Sequence, residues 1–340
     1  MLVKLNCYVI KVGIFLVTIA LIAGMVGCDG DSYTPPSKDL EIRTWYDLDD
    51  VRDNLDGDHI LMNDLDSTTP GYDELASPTA NGGKGWQAIE ASCIPPGCGF
   101  RGTFDGQGHE ICDLFINCPG VDSVGLFGYV GEGGVIEDIG VVNATVVGGV
   151  GVGCLAGGNH GIVSDSYCSA NVTGNTSVGG LVGFGNGIVR NCCSTGNVTG
   201  NWGVGGLAGS SAYGGSVTDC YSTGNVTGIS AVGGLVGDNC RGTVRKSYST
   251  GSVSGDEDVG GLVGYNPYGT VSNSFWDIET SGQSYSWGGT GKNTTEMQDI
   301  TTFSGAGWDI TTVANPDTRN PAYIWNIVDD VTYPFLSWQP

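Results

Sequence analysis

An all-β chain folded as a right-handed parallel β-helix with capped ends is what three observations on the sequence predict. Glycine supplies 60 of the 340 residues, while charged residues make up only 14%. A glycine-rich unit recurs six times at near-constant spacing. The segments between its glycines are short and β-branched, with no 3.6-residue apolar period long enough for a helix. No Gly-X-Y triplet runs through the chain, which excludes collagen, and an apolar fraction of 40% argues against bulk disorder. The net charge of −23, from 13 Lys+Arg against 36 Asp+Glu, repels phosphate backbones and excludes nucleic acid as a partner. Acidic polysaccharide is disfavoured for the same reason unless cations bridge it.

Residues 1–28 read as an export signal. Lys4 and Lys11 supply positive charge, and the apolar stretch Val12 to Val26 is short for a membrane span but suits a signal-peptide core. Met25-Val26-Gly27-Cys28 resembles a bacterial lipobox, with Met25 where Leu is usual. The resemblance implies lipidation at Cys28 and a lipid-anchored, extracytoplasmic protein at the cell surface or envelope. The 12 cysteines suit an oxidising compartment. Residues 29–38, with Pro35-Pro36, read as a tether. Residues 39–120 form an N-terminal cap and first coils. Within them, Thr44 is a helix N-cap, and Leu48, Val51 and Leu55 sit at helical spacing, predicting a helical lid.

Residues 121–277 hold the repeats. Val124-Gly-Leu-Phe-Gly opens the series, followed by Val152-Gly-Cys-Leu-Ala-Gly, Val178-Gly-Gly-Leu-Val-Gly, Val204-Gly-Gly-Leu-Ala-Gly, Val232-Gly-Gly-Leu-Val-Gly and Val259-Gly-Gly-Leu-Val-Gly. Their leucines, at 126, 155, 181, 207, 235 and 262, are 26 to 29 residues apart. Two more landmarks recur: Gly-x-Val followed by an aromatic (Gly215-Ser-Val to Tyr221, Gly242-Thr-Val to Tyr248) and Asn-Val-Thr-Gly (from Asn171, Asn197 and Asn225). The pattern predicts three short strands per unit. Strands this short are stable only when stacked on their copies, about 4.8 Å apart, with Leu and Val ladders inside. Residues 278–340 read as a C-terminal cap, with Trp308, Trp325, Phe335 and Trp338 as bulk to plug the last coil.

These landmarks resemble the GLUG-motif repeats of bacterial and archaeal surface proteins. Phe100-Arg-Gly-Thr-Phe-Asp-Gly-Gln-Gly-His109, ahead of the repeats, and Tyr333-Pro-Phe-Leu-Ser-Trp-Gln339, after them, resemble the family's flanks. The resemblance implies an extracellular, pectin-lyase-like β-helix and leaves activity open.

No catalytic motif can be assembled. His109-Glu110 starts like a zinc-protease helix, but no second His follows. His160 falls in a glycine-rich corner, and Gly288-Gly-Thr-Gly-Lys292 lacks phosphate-loop spacing. Cys93 and Cys98, and Cys112 and Cys118, lack zinc-knuckle spacing. Cys192 and Cys220 align on adjacent coils, as a disulfide or as a stack of thiols, and Cys193 takes the slot of Tyr167 and Tyr221. Asp165, Asn191 and Asp219 align as a ladder, continued by Lys246 and Asn273. Asp165 and Asp219 could space as an inverting carboxylate pair, or serve as turn residues. The run Asp47, Asp49, Asp50, Asp53, Asp56, Asp58, Asp64 and Asp66 reads as a solvated acidic face, with Ca²⁺ as an alternative and no EF-hand spacing.

The sequence therefore predicts a non-enzymatic surface scaffold for adhesion or glycan binding, with no catalytic, cofactor or metal residues and a membrane link through the lipid on Cys28. Trp202, Tyr213, Tyr265 and Tyr268 are the candidates for stacking on sugars, and surface proteins are the other class of partner. A polysaccharide-degrading enzyme of the pectin-lyase-like class is the alternative, and a purely structural envelope protein the second.

Overall fold

The computed structural model describes residues 39–90 and 99–339. The leader, Cys28, the tether, Cys93 and Cys98 lie outside the described residues. The rest is a parallel β-helix. In the coil that starts at Thr176, the chain passes through Thr176–Gly179 (sheet 1), Val182–Gly185 (sheet 2), Ile188–Arg190 (sheet 3), then Cys193–Ser194 and Val198–Thr199 (sheet 4). Each strand pairs in parallel with its copies one coil before and after. Sheet 2 has six strands, one per repeat. Sheet 3 has nine, because Glu41–Ile42, Asp58–Leu61 and Thr103–Asp105 extend it into the N-terminal region.

A coil therefore has four faces rather than the expected three. The Val-Gly-Gly-Leu-Val-Gly segment supplies two strands bent at Gly-Leu, so that its leucine points into the lumen. All six repeat leucines are fully buried. The glycines at this bend answer a steric demand. A Cβ on Gly180 would overlap the Ser194 hydroxyl and the Gly206 carbonyl oxygen. One on Gly209 would run into the backbone of Ser177 and Val178, because sheets 1 and 2 approach backbone to backbone.

The Gly180–Ser194 pairing recurs as Gly206–Ser222 and Gly234–Ser249. One coil earlier the same two positions hold Cys154 and Cys168, and here the chain is cross-linked by a disulfide with Cα atoms 6.6 Å apart. At the last coil they hold Gly261 and Trp276. The Trp276 ring occupies the space over Gly261, donates to the Gln283 carbonyl at 2.9 Å and fills the lumen's end.

The predicted plug residues sit elsewhere. Trp308, Trp325 and Leu336 build a second core with Tyr221, Tyr248 and Phe275 on the outer side of sheet 4, and Trp338 packs against it. The physical reason is the outward aromatic ladder of sheet 4, whose rings need a cover that the lumen does not. Tyr248 donates to the Pro334 carbonyl at 2.5 Å, and Trp308 to the Asn273 carbonyl at 2.8 Å. Cys193 lies in register between Tyr167 and Tyr221, and the side-chain amide of Gln339 fills the gap it leaves, 3.0 Å from its sulfur.

At the N-terminus the predicted helix is shorter than its pattern. Thr44 caps it with a capping box to Asp47, but the α-helix runs only Trp45–Asp49 and tightens to a 3-10 turn at Asp50–Asp53. Trp45, Leu48 and Val51 are fully buried, with Trp45 against Trp86 and Tyr72 at 5.8 Å between ring centroids.

Candidate functional site

The corner between sheets 2 and 3 is where successive coils stop resembling one another. It carries His160, Asn186, Tyr213, Arg241 and Tyr268 in turn. At its N-terminal end the side chains pack on each other. His160 stacks on Tyr129 at 4.8 Å and meets Phe184 edge-on, and burial lowers its pKa. At its C-terminal end the corner is open: Tyr213 is 70% exposed and Tyr268 60%.

Arg241 stands between these two rings, its guanidinium 5.7 Å from one centroid and 5.8 Å from the other. Backbone bonds hold the row: Tyr213 N–H donates to the Cys240 carbonyl at 3.0 Å, and Gly214 N–H to the Arg241 carbonyl at 3.1 Å. Both Tyr213 and Arg241 have positive φ, +48° and +66°, uncommon for residues other than glycine, and both side chains are exposed at the bend. Tyr213 and Tyr268 are two coils apart, about 9–10 Å along the axis. Beside them Tyr265 meets Trp287 edge-on at 5.4 Å, and Trp287 meets the exposed Tyr285 at 6.4 Å. The last strand of sheet 2 is closed off here by Ser286, whose hydroxyl accepts from Val263 N–H at 2.9 Å.

Under this edge lies Asp238, in register with Ser210 and Tyr265. It is 7% exposed, and one carboxyl oxygen has no donor among the described residues. Burial pushes its pKa up to about 6. Sequence reasoning named Tyr213, Tyr265 and Tyr268 but missed Arg241 and Asp238. Register against Tyr213 was the available signal for Arg241. Trp202, also named, is 41% exposed on sheet 1, where it pairs with Thr176 and Ser230 and belongs to no aromatic row.

The other candidates resolve into structural roles. Asp165, Asn191, Asp219, Lys246 and Asn273 all adopt positive φ between 47° and 53°, so they form a ladder of left-handed corner residues. Asn191 bonds Asp165 at 3.0 Å, and Trp325 covers Asp219 with an indole donor at 3.1 Å. Cys192 and Cys220 stack as free thiols. They occupy a ladder with Ser166, Ser247 and Ser274, and each thiol or hydroxyl points at the carbonyl two residues before it, at 2.6 to 3.2 Å. The thiols thus serve the turn as well as contacting each other, and burial together with the Cys220 thiol holds the Cys192 pKa well above its ordinary value. Burial pushes the Cys112 thiol up to about 12.

The acidic N-terminal segment spends its charges locally. Asp49 pairs with Arg52, Asp56 with Arg101 and Asp64 with His109, while Asp66 accepts from Thr68 and Thr69. Among the described residues no three metal-ligating side chains converge. His59 is fully buried, bonded to the Asn54 carbonyl at 2.9 Å.

Residues 200–227 match the family model of the GLUG motif, and this segment is one of six similar units that the chain stacks as a parallel β-helix. It is 35% identical over 120 residues to Halomucin of Haloquadratum walsbyi, which covers 34% of this chain and 1% of that protein. It is 33% identical over 129 residues to a "Putative Gly-rich membrane protein" of Evansella cellulosilytica, covering 36% of this chain and 14% of that one. The chain thus spans a small part of the curated relatives it matches. A solved structure, described as a putative immunoglobulin A1 protease from Bacteroides ovatus, superimposes with a TM-score of 0.61 at 19% identity, over 90% of this chain and 94% of that one. At that identity the likeness is one of fold alone. No helix among the described residues is long and apolar enough to cross a membrane.

Proposed function

We propose that this chain is a non-enzymatic, extracytoplasmic scaffold, lipid-anchored through Cys28, that binds glycan chains along the Tyr213–Arg241–Tyr268 edge. The carrying observation is that edge: two tyrosine rings, each more than half exposed, stand two coils apart with a guanidinium between them. Tyrosine faces stack on the C–H faces of sugars, and the phenol and guanidinium groups donate to their hydroxyls. A rigid ladder presents these groups at fixed spacing, which suits an extended polymer. The mucin and membrane-protein names of the two sequence relatives support a surface setting.

The test is binding of the chain to a polysaccharide panel, with and without Ca²⁺. A selective hit that falls at least tenfold in Tyr213→Ala/Tyr268→Ala supports the reading. Equal binding by the variant, or silence across the panel, defeats it in favour of protein adhesion or envelope structure. Cleavage of a bound polysaccharide would favour the enzymatic alternative. Cys28→Ser should release the protein from the membrane fraction.

A further inference from the structure

The net charge of the whole chain disfavours an acidic partner, but that charge is unevenly spread. Residues 166–255 carry four cations, Arg190, Arg241, Arg245 and Lys246, against two carboxylates, Asp219 and Asp238. Both carboxylates are buried, whereas the three arginines are exposed and Lys246 partly so. The cations gather on sheet 3 and its two corners. Ile188–Arg190, Ser216–Thr218 and Thr243–Arg245 are successive strands of that sheet, and Arg190, Thr218 and Arg245 share one register position. In each strand the central valine is buried and this position faces outward. Arg190 and Arg245 are two coils apart, about 9–10 Å along the axis. Lys246 follows at one corner, and Arg241 stands at the other between Tyr213 and Tyr268.

Among the described residues none of these four forms an ion pair, whereas Arg43, Arg52, Arg101 and Lys292 are each matched to a carboxylate. Asp219 feels Arg245 and Lys246, but the Trp325 indole covers it and burial raises its pKa. Carboxylates beyond about 8–10 Å are screened at physiological salt, so the local excess of cations sets the potential at this face.

We infer that the outer face of sheet 3 over these coils binds a linear, uronate-bearing polysaccharide, its carboxylates paired with Arg190, Arg245 and Lys246 and its rings against the Tyr213–Arg241–Tyr268 corner. The inference rests on the glycan reading above and adds the charge of the polymer. Guanidinium forks match carboxylates bidentately, and the flanking tyrosines call for sugar rings between the charges. The face is also narrow. Glu137 shares the arginine column two coils before Arg190, Asp165 bonds Asn191 at one corner, and exposed Asp309 lies close enough to act on Asp219. A duplex nucleic acid or an anionic bilayer, broader and more densely charged, would press on these carboxylates.

The test is calorimetric titration of the whole protein with alginate oligomers as the uronate probe, neutral dextran and laminarin oligomers, and duplex DNA. Alginate should bind, and severalfold more weakly as NaCl is raised from about 50 to about 300 mM. Arg190→Gln/Arg245→Gln/Lys246→Gln should weaken it roughly tenfold. Arg190→Lys/Arg245→Lys, which keeps the charge, should retain most of it. Circular dichroism checks that each variant is folded, and the salt dependence of the parent needs no variant. The inference is overturned if alginate does not bind, if neutral polymers bind as tightly, if DNA binds more tightly, or if the folded glutamine variant binds alginate as the parent does. A neutral glycan held through the tyrosines, with alginate refused, would uphold the aromatic edge and sink the charged face. Alginate binding lost in the glutamine variant but kept in Tyr213→Ala/Tyr268→Ala would uphold the charged face without the edge.

Discussion

The lumen of the β-helix and the aromatic layer outside sheet 4 are both dry and well packed, yet they are assembled differently. In the lumen one leucine per coil, valines from sheets 1, 3 and 4, and glycine at the bends repeat from rung to rung. In the outer layer the ladder is irregular, with Cys193 interrupting it between Tyr167 and the run of Tyr221, Tyr248 and Phe275, and the cover of that run comes from residues up to 118 positions later, as when Tyr221 donates to Gln339. The lumen's tolerance is set by neighbouring backbone on both sides. The outer layer's is set by the volume of single large side chains. Damage to the first should travel along the axis, whereas damage to the second should stay local.

The largest effect should follow Gly206→Val. Its Cβ would overlap the Gly234 carbonyl oxygen and the Ser222 hydroxyl, and neither coil can retreat without moving the next. A loss of more than about 3 kcal/mol is expected, beyond ordinary overpacking. Hydrogen exchange should then rise in sheets 1 and 2 on both sides of the substitution; a rise confined to one coil would break the contrast.

Trp325→Ala should cost about 3–5 kcal/mol, since its ring is fully buried against Trp308 and Tyr248. Here exchange protection should vanish over residues 298–339 while coils 124–236 keep theirs. Equal loss in both regions would mean that the two cores unfold as one.

The cross-linked coil offers a subtler probe. Cys154→Gly with Cys168→Ser restores the glycine–serine pair of the next three coils, so the fold should survive. Only the cross-link's contribution of about 2–4 kcal/mol should be lost, read from the urea midpoint. A variant that fails to fold would mean this rung does not accept the repeat's own pair.

The smallest effect concerns Asp238, which belongs to neither core. Its raised pKa means that the folded state holds the proton more tightly than the unfolded chain does. Stability from this group is therefore present at low pH and falls as pH rises from about 4 to about 6, by about 1–3 kcal/mol. Asp238→Asn should match the parent near pH 4 and exceed it at pH 7, removing that part of the pH dependence. Parallel stability–pH curves for the two proteins would show that the buried carboxyl is compensated.

Much of the coil was readable because a parallel solenoid turns local pattern into register. The spacing of Leu126 to Leu262, the slot shared by Cys193 with Tyr167 and Tyr221, and the ladder from Asp165 to Asn273 follow from alignment of one repeat on another. The fourth face escaped because Gly-Gly bends leave no polar turn residues to mark them. The cross-link was hidden because Cys154 and Cys168 lie within one coil, at positions that other coils fill with glycine and serine. At the candidate edge the tyrosines were visible as isolated aromatics, but their pairing around Arg241 depends on rung-to-rung proximity.

Repeat length, strand composition and the glycine positions were thus determined by sequence alone, because each rung repeats the same steric and hydrogen-bonding problem and has the same solution. Tertiary structure alone decided that Trp276 ends the lumen, that Trp308, Trp325 and Trp338 cover a face instead of an end, and that Asp219 lies beneath an indole. Those contacts join segments that occur once and lie far apart in the chain, so no periodicity in the sequence announces them.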